Sequence, residues 1–428
     1  FGPVHRDARY VAELARESYK YYYLLRYPFD SDEWGRPKRT SALHSRLQDL
    51  GAVFGVKHGW ERPDYFEPGR PWRRAGPDQR AFGFARPPYL DRLADEHRAF
   101  RERAGIIDMS SFGKVEIRGA GALSLLERVA GNRIDRPVGS VIYTQLLEEG
   151  GGIAADVTIT RLAPDHFRLV TGAGYVNSDL GWLRLQVKGE KVVIRESSDE
   201  LSVIGMWGPQ SRMVLQRVSD DDVSDTGFAF MQARDIKVAG FPVFAQRVTY
   251  VGELGWELYV DPSLAGQVWD RLMEAGRDFG ITPGGYRVLD SLRMEKGYRY
   301  YGTDMGLLDT PFEAGLGFAV DREKWPGIER NVTRRLRTLA VGDEGYVAVY
   351  GGEAVLSDDR VVGRLRSCAY GFTVKRNLAY SYLPSELKPG AAVSVEVFGE
   401  MVPATVMQDR VLEPQPATPG ARRAHDQR

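Results

Sequence analysis

Up to about residue 333 the chain mixes helical and strand-like patterns, and from Arg334 onward it stops doing so. Beyond that point short runs such as Val393, Val395 and Val397 alternate with polar residues between glycine-rich turns. Period-two alternation buries one face of a strand, so residues 334–412 are expected to form a small β-barrel or sandwich. Upstream, strands and helices alternate in two successive units. In the first, Val115 and Ile117 alternate with charges over Lys114–Ile117, and Gly119–Ala130 carries Leu123, Leu126 and Ala130 at helical spacing. Strands return at Val157–Leu162 and His166–Thr171. The second has strands at Leu201–Met206 and Val243–Val251 and helices at Leu264–Phe279 and Val288–Gly297. Two units of one kind predict an α+β protein with two related subdomains, about 96–198 and 199–333.

Residues 1–95 differ. Val11, Leu14, Ala15, Tyr22 and Leu25 define one helical apolar face that Pro28 ends. Trp34, Trp60, Tyr65, Phe66 and Trp72 then stand among prolines and glycines, which predicts a loop-rich connecting segment packed on a neighbouring surface. A helix around Glu96–Ala104 leads into the first unit. The proline- and charge-rich stretch 413–428 is expected to be a disordered tail.

Composition narrows the function. A chain of 428 residues has length for several buried cores. Lysine plus arginine equals aspartate plus glutamate at 58 each, so no general field draws it to nucleic acid or an anionic membrane. No apolar run reaches the roughly 18 residues that a spanning helix needs. The single cysteine, Cys368, excludes an internal disulfide, reads as a packing residue and suits a reducing compartment, with the cytoplasm expected. The first residue is Phe and no signal peptide opens the chain, so the start is expected to have been removed or to lie upstream. There is no GxGxxG, hence no dinucleotide-binding fold and no FAD site is expected in this chain. No Walker loop and no metal-ligand cluster is present, and the six histidines are scattered as packing or surface residues.

Three stretches carry more: Val141 to Asp156 (VIYTQLLEEGGGIAAD), Arg247 to Glu257 (RVTYVGELGWE) and Asp290 to Gly297 (DSLRMEKG). With Asp108 to Gly113 (DMSSFG) and Trp207 to Arg212 (WGPQSR), in this order over roughly residues 96–410, they resemble the aminomethyltransferase (glycine-cleavage T-protein) family. Phe1-Gly-Pro, Gly59-Trp-Glu-Arg-Pro63, Glu295 to Tyr298 and Cys368 to Phe372 more closely resemble the C-terminal half of dimethylglycine and sarcosine dehydrogenases. In those FAD-dependent oxidoreductases a flavin domain oxidises an N-methyl amine, and the folate module captures the released one-carbon unit.

The resemblance implies a T-protein-like fold with tetrahydrofolate between the two subdomains, arranged with the β-domain as a cloverleaf around a central opening. It implies methyl or methylene transfer from a small N-methylated amine, as a demethylase or as the folate module of a flavoprotein domain or subunit. The alternative is a non-catalytic folate-binding or interaction subunit that docks a separate flavoprotein through its first 95 residues. Asp156 falls where the family keeps a carboxylate beside the folate nitrogens and is the expected catalytic residue. A fixed anion there assists proton loss while a nitrogen attacks. Tyr250 and Glu257 match the pair that holds the pterin, by ring stacking and by accepting its N–H groups. Tyr143 matches a further aromatic of the pocket. Phe230 stands near a family tyrosine position, and Arg293 is a cofactor-side candidate on a predicted helix. The chain departs from the T-protein pattern at Leu289, where an arginine stands in the family, leaving either Arg287 or Arg293 as a substitute or no contact to the folate tail. It also has Ala155 in place of the first of two adjacent acids. Asp108 is expected to organise its Ser-Ser-Phe-Gly turn.

Overall fold

The computed structural model describes residues 6–23, 33–69, 84–329, 332–343 and 345–412. Leu25, Pro28, Trp72, the opening Phe-Gly-Pro and the expected tail lie outside them. Helix α1 (Ala8–Lys20) begins where the Asp7 carboxylate accepts the N–H groups of Arg9 and Tyr10, which no helical carbonyl can serve. The helix ends at Lys20, so Tyr22 does not join its apolar face and stands 74% exposed. Helix α2 (His44–Asp49) and a hairpin of β1 (Ala52–Lys57) and β2 (Trp60–Phe66) follow. This part is more than a loop-rich connector. Leu43, Leu47, Phe54 and Phe66 share one core with Trp256 and Trp269, far along the chain.

After α3 (Leu90–Glu102) and β3 (Ala104–Asp108), a first lobe is built from β4 (Gly113–Arg118), α4 (Ala122–Val129), β5 (Val141–Leu147), β6 (Ile153–Ala163), β7 (His166–Thr171), α5 (Val176–Leu185) and β8 (Val193–Glu196). Its sheet runs β5-β6-β7-β4-β8. Strand alternation divides this sheet sharply. Val115, Ile117, Leu146, Val157, Ile159 and Leu169 turn toward the helices as one core. Lys114, Tyr143, Gln145, Asp156, Thr158 and Arg168, one residue out of phase, occupy the other face.

The second lobe comprises β9 (Ser202–Trp207), α6 (Ser211–Val218), β10 (Ala233–Val238), β11 (Phe241–Gln246), β12 (Gly255–Val260), α7 (Pro262–Gly276), β13 (Ile281–Pro283) and α8 (Tyr286–Glu295). Helix α7 has Asp261 as its cap and Pro262 at its first position, where a missing N–H costs nothing. The sheet order is β10-β11-β12-β9-β3-β13, so β3, which precedes the first lobe, is an inner strand of the second. One face packs on α6 and α7. Across the other run two rows set by register, Ile107–Gly205–Glu257–Gln246 and Val203–Tyr259–Phe244.

These two faces look at each other. Val170 of the first lobe packs with Ile107, Val203, Trp207 and Tyr259 of the second, and the Arg168 guanidinium lies 5.5 Å from the Phe244 ring and 5.7 Å from Tyr259. Strands β14 (Arg334–Val341), β15 (Ala354–Ser357), β16 (Arg360–Gly371), β17 (Arg376–Pro384), β18 (Ala392–Val397) and β19 (Glu400–Val406) form a closed barrel, with Val393, Val395 and Val397 inside. Of the two β-architectures expected, closure settles the barrel. It docks on α8 through Met294, Leu336 and Tyr380. Among the described residues no helix is long and apolar enough to cross a membrane.

Candidate active site between the two sheets

Asp156 lies on β6 directly opposite Gln145 on β5, and the Gln145 amide donates to its Oδ1 at 2.9 Å. The Tyr143 hydroxyl is its second polar neighbour. Burial drives the Asp156 carboxyl up to about 6, against the lowering effect of those two hydrogen bonds, and Asp179 adds like-charge repulsion. A carboxyl poised there exchanges a proton near neutrality. The same surroundings push the Tyr143 hydroxyl well up, burial first and the Asp156 charge second.

Glu257 comes from the facing sheet. The Tyr259 hydroxyl donates to its Oε2 at 2.7 Å. Burial raises its carboxyl, while the Tyr259 bond and the Lys114 charge work the other way. Strict alternation between Tyr250 and Glu257 would turn them to opposite faces. The chain leaves β11 at Gln246, and the Thr249 Oγ1 accepts the N–H groups of Val251, Gly252 and Glu253 at 3.2, 3.0 and 3.2 Å. That turn, with Gly252 at φ +75°, resets the phase. Tyr250 then stacks on Tyr298 with centroids 6.3 Å apart and donates to the Arg299 carbonyl at 3.0 Å.

Electrostatic proximity closes the circuit. Tyr143 feels both Asp156 and Tyr250; Lys114 of the first sheet acts on Glu257 of the second; Tyr286 on α8 feels Glu257 and lies under the Arg62 guanidinium at 3.2 Å. Asp156 and Tyr143 on one inner face and Glu257 on the other thus flank a candidate hollow between the lobes, with Tyr250 within electrostatic reach of Tyr143. Phe230 is 51% exposed, and the carbonyl of the next residue, Met231, accepts the Val141 N–H at 2.9 Å and ties that loop to β5.

Arg293 is placed differently. Its guanidinium is 1% exposed and bonded to Asp304 at 2.6 Å, Asp290 at 2.9 Å and the Tyr298 carbonyl at 3.0 Å. Arg287 is bonded to Asp64 at 2.7 Å, and Leu289 is packed in the apolar core beside the hollow. The three positions where the sequence left room for a substitute arginine thus offer no free cation. Asp108 accepts the Ser110 N–H at 2.9 Å and so organises its turn.

Sequence reasoning missed three groups on this hollow. Gln246 is fully buried one strand across from Glu257, and both its amide atoms lack a partner among the described residues. The Gln145 Oε1 is likewise without one. Leaving such an atom unpaired costs about 1–3 kcal/mol, so these two amides are candidates for partners supplied from outside the chain. Lys114 is also fully buried, with Nζ donating to the Ser110 carbonyl at 2.9 Å. Burial drives its amine down to about 7. The signal was available: an uncharged amide or a lysine in phase with a site residue on a paired strand.

Comparison with known proteins places the chain in a family over most of its length. The family model described as the GCVT N-terminal domain matches residues 43–324, and that of the Glycine cleavage T-protein C-terminal barrel domain matches 334–412. Mitochondrial dimethylglycine dehydrogenase of Rattus norvegicus is 34% identical over 423 residues, covering 95% of this chain and 48% of that protein. The chain thus spans about half the length of such curated relatives. Aminomethyltransferase of Halothermothrix orenii is 30% identical over 337 residues, 76% of this chain and 93% of that one. The crystal structure of aminomethyltransferase T of the glycine cleavage system from Bartonella henselae aligns with a TM-score of 0.74 at 23% identity, over 88% of this chain and 99% of that one, a likeness of fold.

Proposed function

Since the chain belongs to the glycine-cleavage T-protein (aminomethyltransferase) family, we propose that the hollow between its sheets holds tetrahydrofolate and that the protein transfers a one-carbon unit to it from a small N-methylated amine. When bound, the folate supplies the nucleophilic nitrogens that accept the one-carbon unit. The residues present fit such a group. A pterin edge offers both N–H donors and acceptors; Glu257 accepts, and the orphaned Gln246 amide beside it can do both. Tyr250, flat against Tyr298, gives an aromatic wall, and Tyr143 and Phe230 extend it toward the rim.

Asp156 is the proton-handling group in this reading. Gln145 and Tyr143 fix the carboxylate by donating to it, and burial keeps it near the protonation midpoint at neutral pH, so it takes a proton from an attacking nitrogen and returns it to a leaving amine. The lobes exclude water from that exchange. Arg293 serves by tying α8 to the Asp304 loop rather than by touching the folate.

The observation that supports this reading is the half-buried Asp156, held by Gln145, on the face of one sheet turned toward the face of the other that carries Glu257 and the Gln246 amide, which has no partner among the described residues. The test is titration of the purified chain with tetrahydrofolate, with formaldehyde then supplied as the one-carbon donor, for wild type and Asp156→Asn. Both should bind, while formation of methylene-tetrahydrofolate above the uncatalysed rate should fall about 10²–10⁴-fold in the variant. Equal turnover would remove Asp156 from the role. A flavoprotein domain or subunit is the proposed source of the oxidised donor, with the exposed tyrosines Tyr19, Tyr22 and Tyr23 at the end of α1 as its landing surface. A pull-down unchanged by serine at all three would refute that part. A lone cysteine fits action in a reducing compartment such as the cytoplasm.

A further inference from the structure

The β1–β2 hairpin carries three basic side chains, none of which forms an ion pair among the described residues. Register pairs Gly55 with Arg62 and Lys57 with Trp60, so Lys57 and Arg62 project from one face of the hairpin, and His58 lies at its tip. Arg62 lies flat on Tyr286, 3.2 Å from the ring centroid, and that ring in turn feels Glu257. Arg62 also acts on Tyr300, which shares Asp290 and Asp304 with Tyr250. The hairpin tip reaches the other lobe as well: a Cβ on Gly174 would meet the His58 ring.

Neither Lys57 nor Arg62 forms an ion pair among the described residues. The acid acting on Lys57 is Asp290, itself bound to Arg293. Burial and mutual repulsion push both Lys57 and His58 down. Lys57 and His58 are exposed and Arg62 half-buried, so solvent screens their repulsion, and an anion placed among them would gain from the charges they carry. A guanidinium stacked on a ring keeps its N–H edge free for a planar anion.

We propose that Arg62 and Lys57 form a carboxylate-binding site at the edge of the folate hollow, which orients the bound small molecule by its acid group. Its location rests on the folate reading of the hollow. The carboxylate has two sources, the glutamyl tail of the folate or the acid group of an N-methyl amino acid donor, and the experiment separates them.

Binding of tetrahydrofolate, of tetrahydropteroate (which lacks the glutamate), of N-methylglycine and of N-methylethylamine is measured by calorimetry on the wild-type chain, the Lys57→Gln/Arg62→Gln double variant and Arg62→Lys. A loss of about tenfold or more for tetrahydrofolate with tetrahydropteroate unchanged assigns the site to the folate tail. The same loss for N-methylglycine with N-methylethylamine unchanged assigns it to the donor. Arg62→Lys, which keeps the charge but not the fork, should recover part of the loss. Unchanged affinity for both acids, or equal losses for the acids and their carboxylate-free counterparts, overturns the proposal. Absence of any folate binding by wild type would sink the folate reading, while the amine pair would still report on the hairpin.

Discussion

Two buried polar regions lie on either side of α8, and they are built on opposite terms. On the barrel side the cluster around Arg101 and Glu295 is answered from within. Arg101 donates to Glu253, Glu295 and the carbonyls of Val251 and Leu292 at 2.6–3.1 Å, and Glu295 also accepts the N–H groups of Thr373 and Val374. Burial alone would raise the Glu295 carboxyl, yet His97 and Arg101 hold it at about 2. In the inter-sheet hollow the account is open: Gln246 and the Gln145 oxygen lack partners, Asp156 is pushed up, and Lys57 and Arg62 lack an acid. Charge density does not separate a structural clamp from a site. Completeness does.

Breaking the closed region should have the largest effect on stability. Glu295→Ala takes from Arg101 one of its two carboxylates and leaves two backbone N–H groups unpaired, so unfolding by denaturant should show a loss of about 3–5 kcal/mol. Opening the other region should cost affinity instead. Glu257→Gln should weaken tetrahydrofolate binding by an amount equivalent to about 1.5–3 kcal/mol, read by titration, with only a small change in melting temperature. The sharpest contrast is Gln246→Leu. Removing a fully buried, unpartnered amide should stabilise the ligand-free chain by about 1 kcal/mol while folate binding weakens. A drop in both would show that the amide is satisfied internally and would break the comparison.

The smallest effect is a shift in pH. The Asp156 carboxyl is raised to about 6 from the usual aspartate range, so transfer should rise with pH through about 6 as the carboxylate forms. The stability sign is opposite. A raised acid contributes stability below its unfolded value and loses it as pH climbs through the folded one, so the ligand-free chain should soften between about pH 4 and 6. Gln145→Leu removes a bond that lowers the carboxyl, so its activity midpoint should lie higher than that of wild type.

Much of this was legible in the sequence because period-two alternation is a local property. Val393, Val395 and Val397 announced the barrel, and the glycine expected to break the strand after Tyr250 does stand in a turn, Gly252 at φ +75°. What stayed hidden was set by contacts distant in sequence. The strand expected at Val243–Val251 stops at Gln246, because the Trp207 indole takes the Val248 carbonyl and Thr249 gathers three amides. Helices α5 and α6 passed unread. Leu43 and Phe54 looked like connector residues until the second-lobe core showed where they pack. Arg293 read as a cofactor contact because its motif neighbours are site residues, but a helical turn directs it to Asp304.

The placement of β3 has one more consequence. The chain leaves β3 at Asp108 and returns at β9 beside it, with the Met109 N–H on the Val203 carbonyl at 2.8 Å and the Val203 N–H on the Ser110 hydroxyl at 3.1 Å. The first lobe is thus an insertion whose entry and exit are stitched together, hung from a host that finishes folding only after the guest has been made. A short linker in its place should leave the host sheet able to close, and the excised guest, with its own apolar core, should fold alone.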